Sequence, residues 1–124
     1  MVFAWLYRGK QISSPSKVSK VLVVSYYTKN CMDCNHLAHT MGQLAWFFGR
    51  EPVEFWEYAS HEPLNFQKMR AYFQQKGVWE LVNKNYKSGT AVIYNLKTKQ
   101  IKASLNNASS VSEGERYIKE ALKP

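Results

Sequence analysis

The chain has 124 residues and a formal net charge of +8, from 17 lysines and arginines against 9 acids. An apolar content of 45% is enough for one hydrophobic core, so we expect a single domain over residues 1–124, with an N-terminal strand and loop over 1–19 and a core over 20–124. No apolar run approaches the roughly 18 residues of a membrane-spanning helix, which argues against a membrane span.

The positive charge predicts attraction to anionic surfaces, but the lysines are scattered and form no basic run. We therefore expect a solvated basic surface that leaves an anionic partner open, and the interleaved Tyr86, Lys87, Tyr94 and Lys97 leave nucleic-acid binding open as well. Residues 1–7 are too short for a secretory signal and lack its basic start. The sequence predicts a cytoplasmic protein if Met1 is the native start, and an exported or periplasmic one if a leader was removed.

The first half of the chain predicts strands and one long helix. Val2–Tyr7 is a short apolar strand followed by a loop over 9–19. Val21–Tyr27 is a near-continuous apolar run, typical of a central strand that is covered on both faces. The apolar residues that follow recur at helical spacing and predict a helix that carries Cys34 on its first turn and ends near Gly49: Leu37, Met41, Leu44, Ala45 and Phe48.

The second half predicts a strand, a helix, a hairpin and a closing helix. Val53–Tyr58 partly alternates, and Pro63 suits the first turn of a helix over 64–75 that Gly77 ends before a further turn through 79–82. Strands over 90–94 and 101–105 surround a polar turn and predict a β-hairpin. Ser110 and Glu113 form a capping box that opens the final helix. The order predicts an α/β fold with a mixed sheet and helices on both faces.

The two cysteines of the chain, Cys31 and Cys34, lie at the turn between the central strand and its helix. Two residues between the sulfurs allow a small disulfide, and a helix N-terminus lowers the pKa of the first thiol. Asp33 opposes this, because a nearby anion disfavours the thiolate. There are too few cysteines for the disulfide framework of a small secreted domain, so the pattern favours a thiol–disulfide redox site.

The residues around the cysteine pair allow other interpretations of its role. His36 and His39 could join the cysteines in a zinc site, but the four residues are crowded into nine positions, unlike the separated ligand pairs of zinc fingers. Haem attachment needs a histidine directly after the second cysteine, and that residue is Asn35. The pair could also be a structural pair of thiols. We expect no metal and no cofactor, and we expect His36, His39 and His61 on the surface.

From residue 20 to 123, the apolar strand, the C-x-x-C at its end, the helix, and the following strand, helix, hairpin and helix resemble the thioredoxin superfamily. The resemblance implies a thioredoxin-like fold and a thiol–disulfide oxidoreductase that acts on protein disulfides. Cys31 would be the attacking thiol and Cys34 the resolving thiol. The implied partners are protein thiols or disulfides, or a dedicated reductase.

The chain also departs from that family at Gly89 and at Ser25. Gly89, before Thr90, occupies the position of the family's cis-proline, and with Met32, Asp33 and Thr90 it forms the implied substrate-binding set. A non-proline cis bond costs about 3 kcal/mol, so we expect the bond before Gly89 to be trans. Ser25 stands where thioredoxins carry a buried acid. A redox-inactive interaction module with the same fold, binding a protein or nucleic acid through its basic surface, is the alternative.

Overall fold

The structure is a computed structural model that describes residues 19–28 and 34–123. The predicted strand over 2–7, most of the loop over 9–19, and Cys31, Met32 and Asp33 lie outside the described residues. The described elements are, in chain order, β1 (Val21–Tyr27), α1 (Cys34–Phe47), β2 (Val53–Ala59), α2 (Pro63–Lys76), α3 (Trp79–Lys84), β3 (Thr90–Asn95), β4 (Gln100–Asn106) and α4 (Val111–Leu122).

The described strands form one mixed sheet in the order β2-β1-β3-β4. β1 is parallel to β2 and antiparallel to β3, and β3 and β4 form the predicted hairpin. All seven residues of β1 are buried, as expected for a central strand with apolar side chains on both faces. The predicted mixed sheet flanked by helices is confirmed.

Two apolar clusters lie on opposite faces of the sheet. One face packs against α1 and α4, and every apolar position predicted for α1 is buried in it. The other face packs against α2 and α3 through Met69, Phe73 and Val82. The described tryptophans differ in exposure. Trp56 is buried in the core and Trp79 is half-buried, while Trp46 is 70% exposed near the end of α1.

Two of the predicted helix boundaries have the geometry that the sequence indicated. Gly77 has φ 75° and directly follows α2, which confirms it as the residue that ends this helix, since the left-handed region favours glycine. The Ser110 side chain accepts a hydrogen bond from the Glu113 backbone N–H at 3.1 Å, and the Ser110 N–H donates to the Glu113 carboxylate at 3.2 Å. The capping box of α4 is therefore present.

A buried carboxylate links β2 to α2. Glu54 is fully buried, and its carboxylate lies 3.2 Å from the Lys76 ammonium. It also accepts hydrogen bonds from the Tyr72 hydroxyl and from the Trp56 indole N–H. The charge is thus compensated where it is removed from water.

No helix within the described residues is long and apolar enough to cross a bilayer.

Candidate functional site

The strand directions bring several chain segments to one edge of the sheet. β1 and β2 are parallel and end there, β3 starts there, and β4 ends there. Helix α1 begins at Cys34, a few residues after β1 ends. The end of β1 and the turn before β3 are therefore neighbours in the fold, although they are far apart in the sequence.

The turn before β3 is tied to the end of β1 by two hydrogen bonds. The Gly89 N–H donates to the Tyr26 carbonyl at 2.8 Å. One residue after β1, the Thr28 hydroxyl lies 3.1 Å from the Ser88 hydroxyl. The turn is thus fixed against the strand that leads into the cysteine segment.

The backbone of Gly89 explains why this position does not carry proline. Gly89 has φ 82°, whereas the proline ring fixes φ near −65°. Proline also has no N–H, and the Gly89 N–H is already used by Tyr26. No cis peptide bond occurs in the described residues, which include the bond before Gly89, as expected. The next residue, Thr90, closes the turn by donating from its hydroxyl to the Lys87 carbonyl at 2.7 Å.

A cluster of tyrosines supports this turn from the α2 and α3 face. The Tyr26 hydroxyl lies 2.5 Å from the Tyr94 hydroxyl and 2.8 Å from the Val82 carbonyl, to which it donates. The Tyr26 ring meets the Tyr86 ring edge-on, with 5.7 Å between centroids. Burial raises the pKa of Tyr26, and burial raises the pKa of Tyr94 to about 12. Both hydroxyls therefore stay neutral, hydrogen-bonded parts of the framework at ordinary pH.

A cavity of about 760 Å³ opens beside the turn. Ser88, Gly89 and Thr90 form one wall, and the end of β4 at Asn106 with the following Asn107 contributes another. The Asn107 side-chain oxygen is buried and accepts no hydrogen bond within the described part of the chain. The lining of the cavity is mainly uncharged and polar. It includes Gly89 and Thr90, the two predicted substrate-binding residues that the structure describes.

A second buried acid, Glu57, was not predicted as a functional residue. Glu57 is fully buried and pairs in register with Ser25 across the β1–β2 ladder. Because side chains alternate along a strand, Glu57 lies on the same face as Phe55, which is the face that α1 covers. Ser25 is itself buried, with its hydroxyl donating to the Trp56 carbonyl at 3.3 Å. Ser25 stands where thioredoxins carry a buried acid, and in this protein a buried acid, Glu57, lies on the adjacent strand instead.

The sequence contained a signal for Glu57, namely an acid within a strand that is apolar on both sides. That signal could not be interpreted locally. Glu54 has the same sequence context but lies on the opposite face, where it pairs with Lys76. Only the pairing of β1 with β2 shows which of the two acids shares a face with α1.

The histidines lie partly where the sequence predicted them. His36 and His39 are exposed on α1, and the His39 ring nitrogen lies 3.3 Å from the Gln43 side-chain nitrogen. His61, two residues after the end of β2, is half-buried rather than fully exposed. Within 19–28 and 34–123, no three His, Cys, Asp or Glu residues are grouped to hold a metal ion.

No protein-family model matches the chain, and no curated protein is similar to it in sequence. Solved structures of similar fold include two that cover most of this chain. One, described as a malarial protein, has a TM-score of 0.53 at 18% identity, over 85% of this chain and 100% of its own. The other is Trxlp, a thioredoxin-like protein from Edwardsiella tarda EIB202, with a TM-score of 0.50 at 14% identity, over 80% of this chain and 82% of its own. The protein has a thioredoxin-like fold.

Proposed function

We propose that the protein is a thiol–disulfide oxidoreductase that acts on protein disulfides through Cys31 and Cys34. The observation that carries the proposal is the start of α1 at Cys34, at the sheet edge where the Gly89 turn is hydrogen-bonded to the end of β1. A C-x-x-C that ends at a helix start has its first thiol next to the positive end of the helix dipole. The fold shared with Trxlp is consistent with this chemistry.

The proposed reaction is a pair of thiol–disulfide exchanges. The Cys31 thiolate attacks one sulfur of the substrate disulfide, forms a mixed disulfide and releases the other substrate sulfur as a thiolate. The Cys34 thiolate then attacks the Cys31 sulfur and releases the second substrate thiolate. The substrate gains two electrons, and the protein is left with a Cys31–Cys34 disulfide. A partner dithiol restores the reduced pair by the reverse exchange.

The substrate would lie between the cysteine segment and the turn before β3. Met32 and Asp33 would contact it from one side, and Gly89 and Thr90 from the other. Asp33 disfavours the Cys31 thiolate by like-charge repulsion, so we expect a nucleophile of ordinary rather than extreme acidity. The reduction potential should then be nearer the thioredoxin value of about −270 mV than the DsbA value of about −120 mV.

Glu57 is proposed as a positioning residue for the second exchange. It is a buried carboxylate on the face that α1 covers, and α1 begins at the resolving cysteine. A carboxylate held away from water accepts a proton more readily than an exposed one, so it can assist deprotonation of the Cys34 thiol. Glu57→Gln keeps the size of the side chain and removes this capacity.

The first test is the reduction potential of the cysteine pair in glutathione buffers, with turnover measured by insulin reduction. The redox state should be determined by mass-shift alkylation, because Trp46 follows Cys34 by about 18 Å of helix and reports the pair poorly by fluorescence. A two-electron transition with turnover supports the proposal. A pair that shows no transition and no turnover, in a protein whose Cys31→Ser variant retains biological activity, would favour the interaction module.

The two single variants distinguish the roles of the cysteines. Cys34→Ser should accumulate a mixed disulfide with a model disulfide peptide, whereas Cys31→Ser should form none. Glu57→Gln should slow release of substrate from the mixed disulfide at pH 7, and the rate should recover at higher pH as the Cys34 thiol ionises without assistance. If release from Glu57→Gln is as fast as from the parent protein across the pH range, Glu57 takes no part.

A further inference from the structure

A second cavity lies at the opposite end of the sheet from the Gly89 turn, where β1 starts. It has a volume of about 380 Å³ and is lined by residues from before β1, from the β3–β4 hairpin and from the end of α4. Because β1 has seven residues, about 20 Å separate its two ends. The cavity is therefore distinct from the proposed redox site.

Three lysines border this cavity: Lys20, Lys97 and Lys123. Hydrogen bonds hold the main chain in place at each of the three lysines. The Lys20 carbonyl accepts from the Leu96 N–H at 3.0 Å, and the Lys97 N–H donates to the Asn95 side-chain oxygen at 2.9 Å. The Lys123 N–H donates to the Glu120 carbonyl at 3.3 Å at the end of α4.

The charge of these lysines is not neutralised by the cavity. Among the described lining residues there is no acid. The ion pairs found in the described ranges are Lys76 with Glu54 and Lys119 with Glu115, and neither involves a lysine of the cavity. One of the three, Lys123, is at a helix end where a cation stabilises the dipole, but Lys20 lies just before β1 and Lys97 lies in the turn between β3 and β4. Three like charges around one opening favour an anion there.

The interior of the cavity is aliphatic. Leu96, Ala121 and Leu122 contribute to its lining, and no aromatic side chain of the described residues does. A nucleobase would be expected to stack on aromatic rings, which are missing from this lining. An alkyl chain needs only apolar surface, because binding there removes its methylene groups from water.

We propose that this cavity binds a small amphipathic anion, a compound with one aliphatic chain and a phosphate or carboxylate head group. The chain lies on the aliphatic lining, and the head group lies among the three lysines. This site is independent of the cysteine chemistry and needs neither thiol.

The test is titration of the full chain with octyl phosphate, followed by backbone amide shifts in NMR spectra. Octanoate replaces the head group, butyl phosphate shortens the chain, and octyl glucoside removes the charge. The site variant combines Lys20→Gln, Lys97→Gln and Lys123→Gln. The control combines Lys68→Gln, Lys84→Gln and Lys102→Gln, three exposed lysines outside the cavity that give the same change in net charge.

We expect octyl phosphate to shift the amides of Leu96 and Leu122 and to bind at least tenfold more weakly to the site variant than to the control. Butyl phosphate and octyl glucoside should each bind at least tenfold more weakly than octyl phosphate. Octanoate binding more tightly than octyl phosphate would identify a carboxylate ligand, and weaker octanoate binding a phosphate ligand. Equal loss in both triple variants, or equal affinity for butyl and octyl phosphate, would overturn the proposal.

Discussion

Replacing Gly89 tests the geometry of the turn at the candidate site. Its φ of 82° is a conformation that L residues rarely adopt, and its N–H donates to the Tyr26 carbonyl at 2.8 Å. Alanine keeps the N–H but has a Cβ, so Gly89→Ala should cost about 1–2 kcal/mol. Proline cannot reach this φ and has no N–H to donate. Gly89→Pro should therefore cost at least about 3 kcal/mol, because the turn has to rebuild.

These free energies correspond to measurable changes in melting temperature. At about 2.1 cal/mol/K per residue, the entropy of unfolding of 124 residues is about 0.26 kcal/mol/K. A cost of about 1.5 kcal/mol then lowers Tm by about 6 °C, and about 3 kcal/mol lowers it by about 12 °C. Urea denaturation of the same proteins gives the free energies directly.

The matched control is Gly49→Ala. Gly49 is an exposed glycine after α1 that has no positive φ, and an added Cβ would lie no closer than 3.4 Å to its nearest neighbour, the Trp46 carbonyl oxygen. Its stability should change by less than about 0.5 kcal/mol. A Gly89→Pro protein that melts within about 2 °C of the parent protein would refute the assigned turn and the explanation for the missing proline.

Three further predictions concern the packing and the charges of the fold. In Gly114→Ala the new Cβ would lie 2.5 Å from a Leu44 methyl carbon. The resulting overpacking, about 1–3 kcal/mol, should outweigh a gain in helix propensity of up to about 1 kcal/mol, so the variant should be less stable in urea. A stability equal to that of the control Ser112→Ala, on the same helix, would contradict this. Lys76→Met leaves the buried Glu54 charge without its partner and should cost about 2 kcal/mol, while Lys68→Met, on the same helix, should be nearly neutral in urea denaturation. Burial raises the pKa of Tyr94 to about 12, so the folded state favours the neutral hydroxyl. The contribution of this hydroxyl to the free energy of unfolding is therefore complete below pH 10. It is lost between about pH 10 and 12, at up to about 1.4 kcal/mol per pH unit. The loss should be smaller in Tyr94→Phe than in the parent protein, and a flat stability over this interval would count against the burial of the hydroxyl.

The local elements could be predicted from the sequence because their signals are local. Pro63 and Gly77 bound α2, and Ser110 with Glu113 opens α4, each through a contact within a few residues. The strands predicted within residues 19–28 and 34–123 agree with the described ones to within one or two residues for the same reason, since alternation and turn residues are read over short windows.

The arrangement of the candidate site could not be predicted in the same way. The φ of Gly89 depends on a hydrogen bond to Tyr26, which lies on another strand. The burial of Glu57 depends on the pairing of β2 with β1, and the identical alternation pattern leaves Glu54 and Glu57 equivalent until the sheet forms. The exposure of Trp46 depends on which face of α1 packs against the sheet. These are all contacts between residues distant in sequence, which local patterns do not record.

The position of β1 at the centre of the sheet has a consequence for the order of folding. Val21 pairs with Val53 on one side and with Asn95 on the other, so both ladders of β1 close long loops, whereas β3 and β4 are joined by a short turn. Long loops cost more entropy to close, and we expect the hairpin to form before the central strand is complete. During synthesis, the surface that supports the start of α1 is therefore unfinished until residue 95 has been added. Under the proposed redox function, a thiol whose reactivity depends on that helix terminus would acquire this reactivity only late in folding.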